Sequence, residues 1–302
     1  MKKQIGISTF EFQSLYGDLK AIEIAHEIGA DAVDFNLNCY SCAQSDSIYS
    51  KSDEEIISYF SKIKEKADEL GVYISQTHGR IRIYHGEPNQ DKIDLMDARL
   101  DCLASKVLGA PYCVMHSIAT SVTGPDADED FMHKLCFDTF NTILGYAKEY
   151  NVKIAIETMG DSPVYKCCDY FGNLSEFKKS YEKIRSFSDN EEYIFCCIDT
   201  GHVNKAMRFN NNPTPAEFIR AMGKSIKCLH LNDNNTLTDQ HKPPKTGVIN
   251  WDDVLLALKE IEYDGIYNLE LNLAHFGKGF EIETAKFSIK LLDFMLNGNC
   301  NE

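Results

Sequence analysis

The sequence predicts an α/β protein folded as a single (β/α)₈ barrel, and three observations carry that prediction. Short apolar runs rich in β-branched residues recur eight times along the 302 residues. Each run is followed by a segment whose apolar residues have helical spacing. Continuous apolar runs indicate parallel strands covered on both faces, and eight such strand–helix units in about this length indicate a closed barrel. We therefore expect one domain over residues 1–302.

The predicted strands are the eight apolar runs. Gly6 lies inside the first run and is no dinucleotide-binding fingerprint, whereas a doubly wound open sheet, the alternative fold, often has a glycine-rich first turn. In chain order the predicted strands cover residues 3–9, 32–37, 72–78, 112–118, 152–157, 193–199, 226–231 and 267–271.

The predicted helices follow the strands one by one. Three of them are followed by a glycine that stops the helix, namely Gly29, Gly71 and Gly109, and a fourth begins near Pro215 and ends at Gly223. In chain order the predicted helices cover residues 19–28, 53–70, 91–108, 128–150, 174–185, 215–223, 251–261 and 282–296.

The composition indicates in which cellular compartment the protein is expected and which kinds of molecule it is expected to bind. A hydrophobic content of 43% with 25% charged residues is typical of a globular protein with a large core. No run approaches the roughly 20 apolar residues of a membrane helix, so no membrane contact is expected. Eleven cysteines without a signal segment indicate reduced thiols and a cytoplasmic protein. The net charge of -15 opposes binding to nucleic acid and favours a small-molecule partner.

Side chains that can act as acids, bases or metal ligands are concentrated where the predicted strands end. In this fold the chemistry takes place at the carboxyl ends of the strands. Five of the nine histidines belong to this group, whereas random placement would scatter them. The residues at the strand ends are His78, His116, Glu157, Asp199, His202, His230 and Glu270, and the loop after the seventh strand adds Asp233, Asp239 and His241.

Three carboxylates in this group indicate a metal. Glu157, Asp199 and Glu270 each end an otherwise apolar run. Each alone could be a helix cap, but three converging carboxylates would repel one another and raise each other's pKa. A divalent cation removes that conflict, and the imidazole of His230 completes a four-ligand site. We therefore predict one metal held by these four residues.

Four motifs in order resemble a known family. They are Ile-Glu-Thr at 156–158, Ile-Asp-Thr-Gly-His at 198–202, Leu-His-Leu-Asn-Asp-Asn at 229–234 and Leu-Glu-Leu at 269–271. This set is similar to the metal-bearing strand ends of the xylose isomerase-like TIM barrels, specifically the sugar phosphate isomerase/epimerase group and the ketose 3-epimerases. The similarity spans nearly the whole chain, and the ordered set is specific although each motif alone is weak.

The resemblance implies a metal-dependent isomerase or epimerase of a sugar or sugar phosphate in carbohydrate metabolism. It implies one divalent ion on the four ligands, Mn²⁺ first, with Mg²⁺, Co²⁺ or Zn²⁺ as alternatives. Glu157 and Glu270 would move protons next to a carbonyl through a metal-stabilised enediolate. Barrels of this family often form dimers or tetramers, so a homo-oligomer is an expectation by analogy. The residues implied to bind substrate are His202, His78, His116, Asp239 and His241.

The sequence departs from the ketose 3-epimerases at two places. Those enzymes carry an arginine about six positions beyond the histidine of the seventh strand, where Thr236 stands here. They also carry a glutamate shortly after the ligand of the fifth strand, where Asp161 and Ser162 stand. The identity of the sugar is therefore open.

Two alternative functions share the same fold. Dehydratases and lyases of the family need the same first proton abstraction, and the sequence hardly separates them. Endonuclease IV, a DNA-repair phosphodiesterase with three zinc ions, uses nine positions that all hold ligand-capable residues here. The acidic charge and the lack of an evident basic or intercalating loop argue against it.

Other side chains near the strand ends are expected to have structural roles or to form the walls of the site. Trp251 is expected to pack at the start of its helix. Arg80 and Arg82 are expected to form ion pairs rather than to bind phosphate. As a hypothesis, Phe10, Phe12 and Tyr40 shape the mouth of the site, because aromatic residues often form the walls of sugar pockets.

Overall fold

The computed structural model describes residues 2–209 and 211–298, and within these the eight predicted strands form one parallel sheet. The order is β8–β1–β2–β3–β4–β5–β6–β7. Leu231 pairs with Leu269 and brings β7 against β8, so the barrel is nearly closed and its prediction is confirmed. The strands are β1 (Ile5–Ser8), β2 (Ala32–Asn36), β3 (Tyr73–His78), β4 (Tyr112–His116), β5 (Lys153–Glu157), β6 (Ile194–Asp199), β7 (Ile226–His230) and β8 (Tyr267–Leu269).

Helices surround the sheet, and three of them were not predicted from the sequence. These are α1, the single turn α5 and α8, which begins directly after β6. No described helix is both long enough and apolar enough to cross a membrane. The helices are α1 (Phe10–Tyr16), α2 (Asp18–Glu27), α3 (Asp53–Leu70), α4 (Pro88–Leu108), α5 (Thr120–Thr123), α6 (Glu129–Tyr150), α7 (Leu174–Arg185), α8 (Thr200–Ala206), α9 (Pro215–Met222), α10 (Trp251–Glu260) and α11 (Glu281–Asn297).

Shorter elements complete the connections. After β5 the chain forms a small antiparallel hairpin, in which Asp161 pairs with Cys168. Among the residues described, five 3₁₀ turns lie at Ile48–Ser50, Tyr170–Gly172, Asn190–Glu192, Gly223–Ser225 and Leu273–Phe276.

The helix boundaries follow from local sequence. Ser52 and Glu55 form a reciprocal capping box at the start of α3, so two backbone N–H groups without helical partners are satisfied there. The helices α3 and α4 end at Gly71 and Gly109, both in the left-handed conformation that glycine adopts without strain. These local signals explain why the long helices were placed correctly from sequence.

Small side chains fill the inside of the barrel, and they position the polar residues above them. Val114, Ala155, Cys197 and Cys228 form a separate buried cluster inside the sheet. Successive side chains on a strand alternate between its two faces, so the residue two positions on points into the barrel again. The polar residues that follow these four in the same order are His116, Glu157, Asp199 and His230.

Arg80 ties the loop after β3 to its surroundings. Its guanidinium donates to Asp101 Oδ2 at 2.7 Å and to the backbone carbonyl of Leu37 at 2.6 Å. The side chain of Arg80 is 6% exposed and that of Asp101 is fully buried. The predicted ion pair is therefore confirmed for Arg80, whereas Arg82 is exposed and forms no ion pair with the described residues.

Replacing Arg80 with methionine is expected to lower the free energy of unfolding by about 3–5 kcal/mol, because Asp101 stays buried without its cation. Urea denaturation measures the change. The matched control is Arg99→Met, since Arg99 pairs with Asp53, whose side chain is 45% exposed. A loss of at most about 1 kcal/mol is expected there, and equal losses in both variants would contradict the argument.

Candidate metal and active site

The four predicted metal ligands meet at the carboxyl-terminal mouth of the barrel. Glu157, Asp199 and His230 end β5, β6 and β7, and Glu270 follows β8. One ligand atom of each lies within 4.8 Å of those of the other three. The first three residues are fully buried, whereas the side chain of Glu270 is 17% exposed. Three carboxylates and one imidazole in this arrangement match the donor set of a divalent cation.

Several buried atoms of this group have no hydrogen-bond partner. His230 Nδ1 lies 3.2 Å from Glu157 Oε1 and 3.3 Å from Glu270 Oε2. Even so, Nδ1 and both carboxylate oxygens of Glu157 make no hydrogen bond within the part of the chain that the structure describes. Buried polar atoms are nearly always partnered, so a cluster of unpartnered acceptors facing one another needs an explanation. A cation between them provides one, and the residues present therefore fit a metal.

The start of α8 holds Asp199 in place. Asp199 Oδ1 accepts the backbone N–H of His202 at 2.6 Å. Asp199 Oδ2 accepts a hydrogen bond from Asn232 Nδ2 at 2.7 Å. Because one end of the carboxylate caps the helix and the other is tied to the loop after β7, its orientation is set before any ligand arrives.

Charges of opposite sign stabilise one another across the site. Burial opposes ionisation of Glu157, but the imidazoles of His116 and His230 outweigh it and hold the pKa of Glu157 well below its usual value. Burial likewise opposes ionisation of Glu270, but His230 and His241 keep its pKa lowered. Both glutamates are therefore carboxylates at neutral pH.

Two of the residues predicted to bind substrate flank Glu157. His116 Nε2 lies 3.1 Å from Glu157 Oε2, and His78 Nε2 lies 3.4 Å from the same oxygen. His78 Nε2 is also 3.6 Å from Glu270 Oε1. Burial lowers the pKa of His78, but these two carboxylates outweigh it and raise the pKa to about 9. The structure thus brings His78 and His116 into the predicted site.

The other three predicted substrate-binding residues, His202, Asp239 and His241, lie together at the rim of the site. Asp239 Oδ2 lies 3.4 Å from His202 Nε2 and 3.5 Å from His241 Nε2. Asp199, His202 and His241 also form a second group whose ligand atoms lie within 4.8 Å of one another. All nine residues of the predicted site therefore lie together.

A lysine and an arginine near this rim were missed from the sequence. Lys205 Nζ lies 2.8 Å from Asp161 Oδ1 and 3.5 Å from Asp239 Oδ1, and its side chain is 7% exposed. Arg208 pairs with Asp161 and donates to the backbone carbonyl of Thr236 at 2.9 Å. Arg208 thus links Asp161 and Thr236, the two places where the sequence departs from the ketose 3-epimerases. Lys205 lies in the last turn of α8 and Arg208 follows the end of that helix, so their spacing of three residues was the only available signal in the sequence.

Asp233 has a structural role instead of a place in the site. Its Oδ2 accepts a hydrogen bond from Trp251 Nε1 at 2.8 Å, and its Oδ1 accepts the backbone N–H of Ile249 at 3.1 Å. Trp251 is 2% exposed, so the prediction that it packs is confirmed. Asp233 anchors the loop after β7 to the start of α10.

A cavity of about 270 Å³ opens over the mouth of the barrel. Four residues of the predicted site line it, namely His78, Asp239, His241 and Glu270. Residues that the sequence did not single out also line it, and the polar ones among them are Ser8, Glu11, Asn36 and Asn272. The cavity thus places a small molecule against Glu270 and the rim.

The aromatic wall predicted from the sequence is present only in part. Phe10 lines the cavity and is 53% exposed. The expectation for Phe12 is wrong, because its side chain is fully buried in the core. Tyr40 is not among the lining residues, and its hydroxyl donates to Asp18 Oδ2 at 2.7 Å.

Comparison with known proteins identifies the family. Residues 22–293 match the family model described as xylose isomerase-like TIM barrel. The chain belongs to this family. The family and the fold predicted from the sequence are thereby confirmed.

Individual relatives of known name or structure share only low sequence identity with this chain. Inosose isomerase of Bacillus subtilis (strain 168) is 28% identical over 172 residues, which is 55% of this chain and 55% of that protein. The matched segments span 42–58% of the length of the curated relatives, about half.

Solved structures of similar proteins cover nearly the whole barrel. D-Psicose 3-epimerase with D-tagatose from Clostridium cellulolyticum H10 superimposes with a TM-score of 0.72 at 14% identity, covering 97% of this chain and 99% of that one. The IOLI protein, with a zinc atom, superimposes with a TM-score of 0.66 at 17% identity, covering 95% and 94%. Identities this low show the shared fold.

Proposed function

We propose that this protein is a divalent-metal-dependent sugar isomerase or epimerase that moves a proton at a carbon next to a carbonyl. The observation that carries the proposal is the convergence of Glu157, Asp199, His230 and Glu270 around unpartnered buried atoms. The names of two similar proteins, an inosose isomerase and a D-psicose 3-epimerase, support the same reaction class.

The four converging residues would hold one divalent cation. Mixed carboxylate and imidazole ligands suit Mn²⁺ first, and Mg²⁺, Co²⁺ and Zn²⁺ are the alternatives. The zinc atom in the IOLI structure shows that one such barrel takes a divalent ion. When bound, the cation would act as a Lewis acid toward the carbonyl and a neighbouring hydroxyl oxygen of the sugar.

Glu270 and Glu157 would be the proton-transfer pair. Glu270 lines the cavity, so its carboxylate can approach a carbon-bound hydrogen of the substrate. Glu157 lies deeper, and His78, which also lines the cavity, is 3.4 Å from its Oε2. Both pKa values are lowered, so both groups are bases at neutral pH. Carboxylates from different strands can remove a proton on one face and return it on another.

The cavity favours a neutral monosaccharide. No lysine or arginine is among its lining residues, and the three carboxylates Glu11, Asp239 and Glu270 outnumber the two histidines, so the cavity offers little attraction to a phosphate. Phe10, Ile81 and Leu271 offer apolar surface against a sugar ring. The volume of 270 Å³ lies near the lower end of the range for small-molecule sites.

The test is incubation of the Mn²⁺-loaded protein in D₂O with a panel of ketoses, aldoses and their phosphates. We expect deuterium at a carbon-bound position of an unphosphorylated sugar, measured by NMR or mass spectrometry. A lyase or dehydratase of the family would show the same exchange followed by loss of water. If the protein binds Mn²⁺ and exchanges hydrogen with none of these compounds, the proposed function is wrong.

The second group of possible ligands supports a second candidate function. Asp199, His202 and His241 could take a further ion, and a multi-zinc site is the arrangement of a phosphodiesterase. The net charge of -15 disfavours binding of a nucleic-acid backbone. Zinc titration separates the two candidates, because the sugar enzyme needs one tightly bound equivalent and the nuclease needs three.

A further inference from the structure

We infer that Asp34 is a positioning residue that fixes which nitrogen of His230 faces the metal, an inference that rests on the proposed function. Asp34 lies in β2, is fully buried, and is absent from the residues predicted to form the site. It comes from a strand that supplies none of the proposed ligands.

The contacts of Asp34 are few and specific. Its Oδ2 lies 2.8 Å from His230 Nε2. Gln76, on the neighbouring strand β3, donates from Nε2 to the same oxygen at 3.1 Å. Burying a carboxylate is costly unless it is hydrogen-bonded or paired, and these two side chains provide that compensation for Oδ2, while Oδ1 has no hydrogen-bond partner among the described residues. The carboxylate is therefore held against one edge of the His230 ring.

This contact decides the tautomer of His230. A carboxylate can only accept, so the ring nitrogen that faces it at 2.8 Å carries the proton. His230 has to be a neutral imidazole to coordinate a cation, and in that state Nδ1 is left with the lone pair. That lone pair points to Glu157 Oε1 at 3.2 Å and Glu270 Oε2 at 3.3 Å. Asp34 thus makes Nδ1 a ligand atom rather than a donor.

The opposite tautomer would remove the ligand. With a proton on Nδ1, His230 would donate a hydrogen bond to Glu157 or Glu270 and could not coordinate a cation. A histidine ligand that donates its other N–H to a carboxylate is also more basic, and loss of such a partner typically costs about 10–100-fold in metal affinity. If the pair between Asp34 and His230 only stabilised the fold, its loss would lower the stability of the protein and leave Nδ1 as the coordinating atom.

The decisive variant is Asp34→Asn, which keeps the shape and offers an amide that can donate to Nε2. We expect the dissociation constant for Mn²⁺, measured by titration calorimetry, to rise about 10–100-fold. The matched control is Asp101→Asn, which alters an equally buried carboxylate that accepts hydrogen bonds from Arg80 and Tyr49. The control is expected to lose stability and to keep the wild-type affinity for Mn²⁺.

A second measurement on the wild-type protein needs no variant. In the Zn²⁺-loaded protein labelled with ¹⁵N-histidine, we expect Nδ1 of His230 to show the shift of a coordinated nitrogen and Nε2 to carry its proton. His230→Gln assigns the signals. Coordination through Nε2, or Asp34→Asn with wild-type affinity for Mn²⁺, would overturn the role of Asp34 alone. A wild-type protein that binds neither metal would overturn the proposed function itself.

Discussion

Replacing Glu157 or Glu270 with glutamine is expected to reduce hydrogen exchange into a substrate sugar by about 10³-fold or more. Glutamine keeps the size of the side chain and one ligand oxygen but removes the charge and the basic site. General-base catalysis alone contributes about 10²–10⁴-fold, and a weakened metal site adds to that loss. Both carboxylates are therefore expected to be indispensable.

Loss of the base and loss of the metal are separable in the same variants. We expect each glutamine variant to bind Mn²⁺ more weakly, because three carboxylates become two. Exchange is therefore measured at several Mn²⁺ concentrations up to saturation. A defect that persists at saturation reports the missing base, whereas recovery to the wild-type rate would restrict the residue to metal binding.

Glu176→Gln is the matched control for these variants. Glu176 contacts a histidine as Glu157 does, with Oε2 at 2.8 Å from His133 Nε2, but it lies on α7 outside the barrel. We expect exchange at the wild-type rate in this variant. Undiminished exchange in both Glu157→Gln and Glu270→Gln would contradict the proposed mechanism.

The barrel and the predicted site could be placed from the sequence because the signals are local. Each of Glu157, Asp199 and His230 ends its strand two residues after a small side chain of the barrel interior. Alternation along a strand therefore brings them to the same mouth. The parallel order of the strands follows from the alternation of strand and helix, which needs no long-range information.

Asp34 could not be found in the same way. It lies inside the run Ala32–Asn36, where the sequence shows only a strand. Its partner, His230, is 196 residues away, and the contact depends on how β2 and β7 face each other across the barrel. Long-range pairings of this kind leave no trace in local periodicity.

The wrong expectation for Phe12 and the missed Lys205 have a common cause. Both residues lie on short helices, α1 and α8, that the sequence did not reveal. On a helix, residues two apart point about 200° apart, so Phe10 and Phe12 face opposite sides. Helices of seven residues are too short to show a clear amphipathic period.

Gly201→Ala is expected to damage the candidate metal site through packing alone. Gly201 is buried in the first turn of α8. A Cβ atom at this position would lie 2.0 Å from Asn232 Oδ1 and 2.9 Å from Asn234 Nδ2. Both asparagines are fully buried, so they have little room to move. Overpacking of this kind costs about 1–3 kcal/mol of stability, measured by urea denaturation.

The effect on metal binding follows from what Asn232 holds. Its Nδ2 donates to Asp199 Oδ2 at 2.7 Å, so a displaced Asn232 releases one side of a proposed ligand. We expect the dissociation constant for Mn²⁺ to rise at least about 10-fold, as is typical when a metal-ligating side chain loses a hydrogen-bond partner. Gly145→Ala is the matched control, because a Cβ there on α6 meets no described atom within 4 Å beyond its chain neighbours and the backbone of its own helix. Alanine should raise stability there by about 0.5–1 kcal/mol and leave Mn²⁺ binding unchanged.

If Gly201→Ala binds Mn²⁺ as tightly as the wild type, Asp199 either does not depend on Asn232 or is not a ligand. Asp199→Asn then decides between these two readings, since only a ligand loses affinity when its charge is removed.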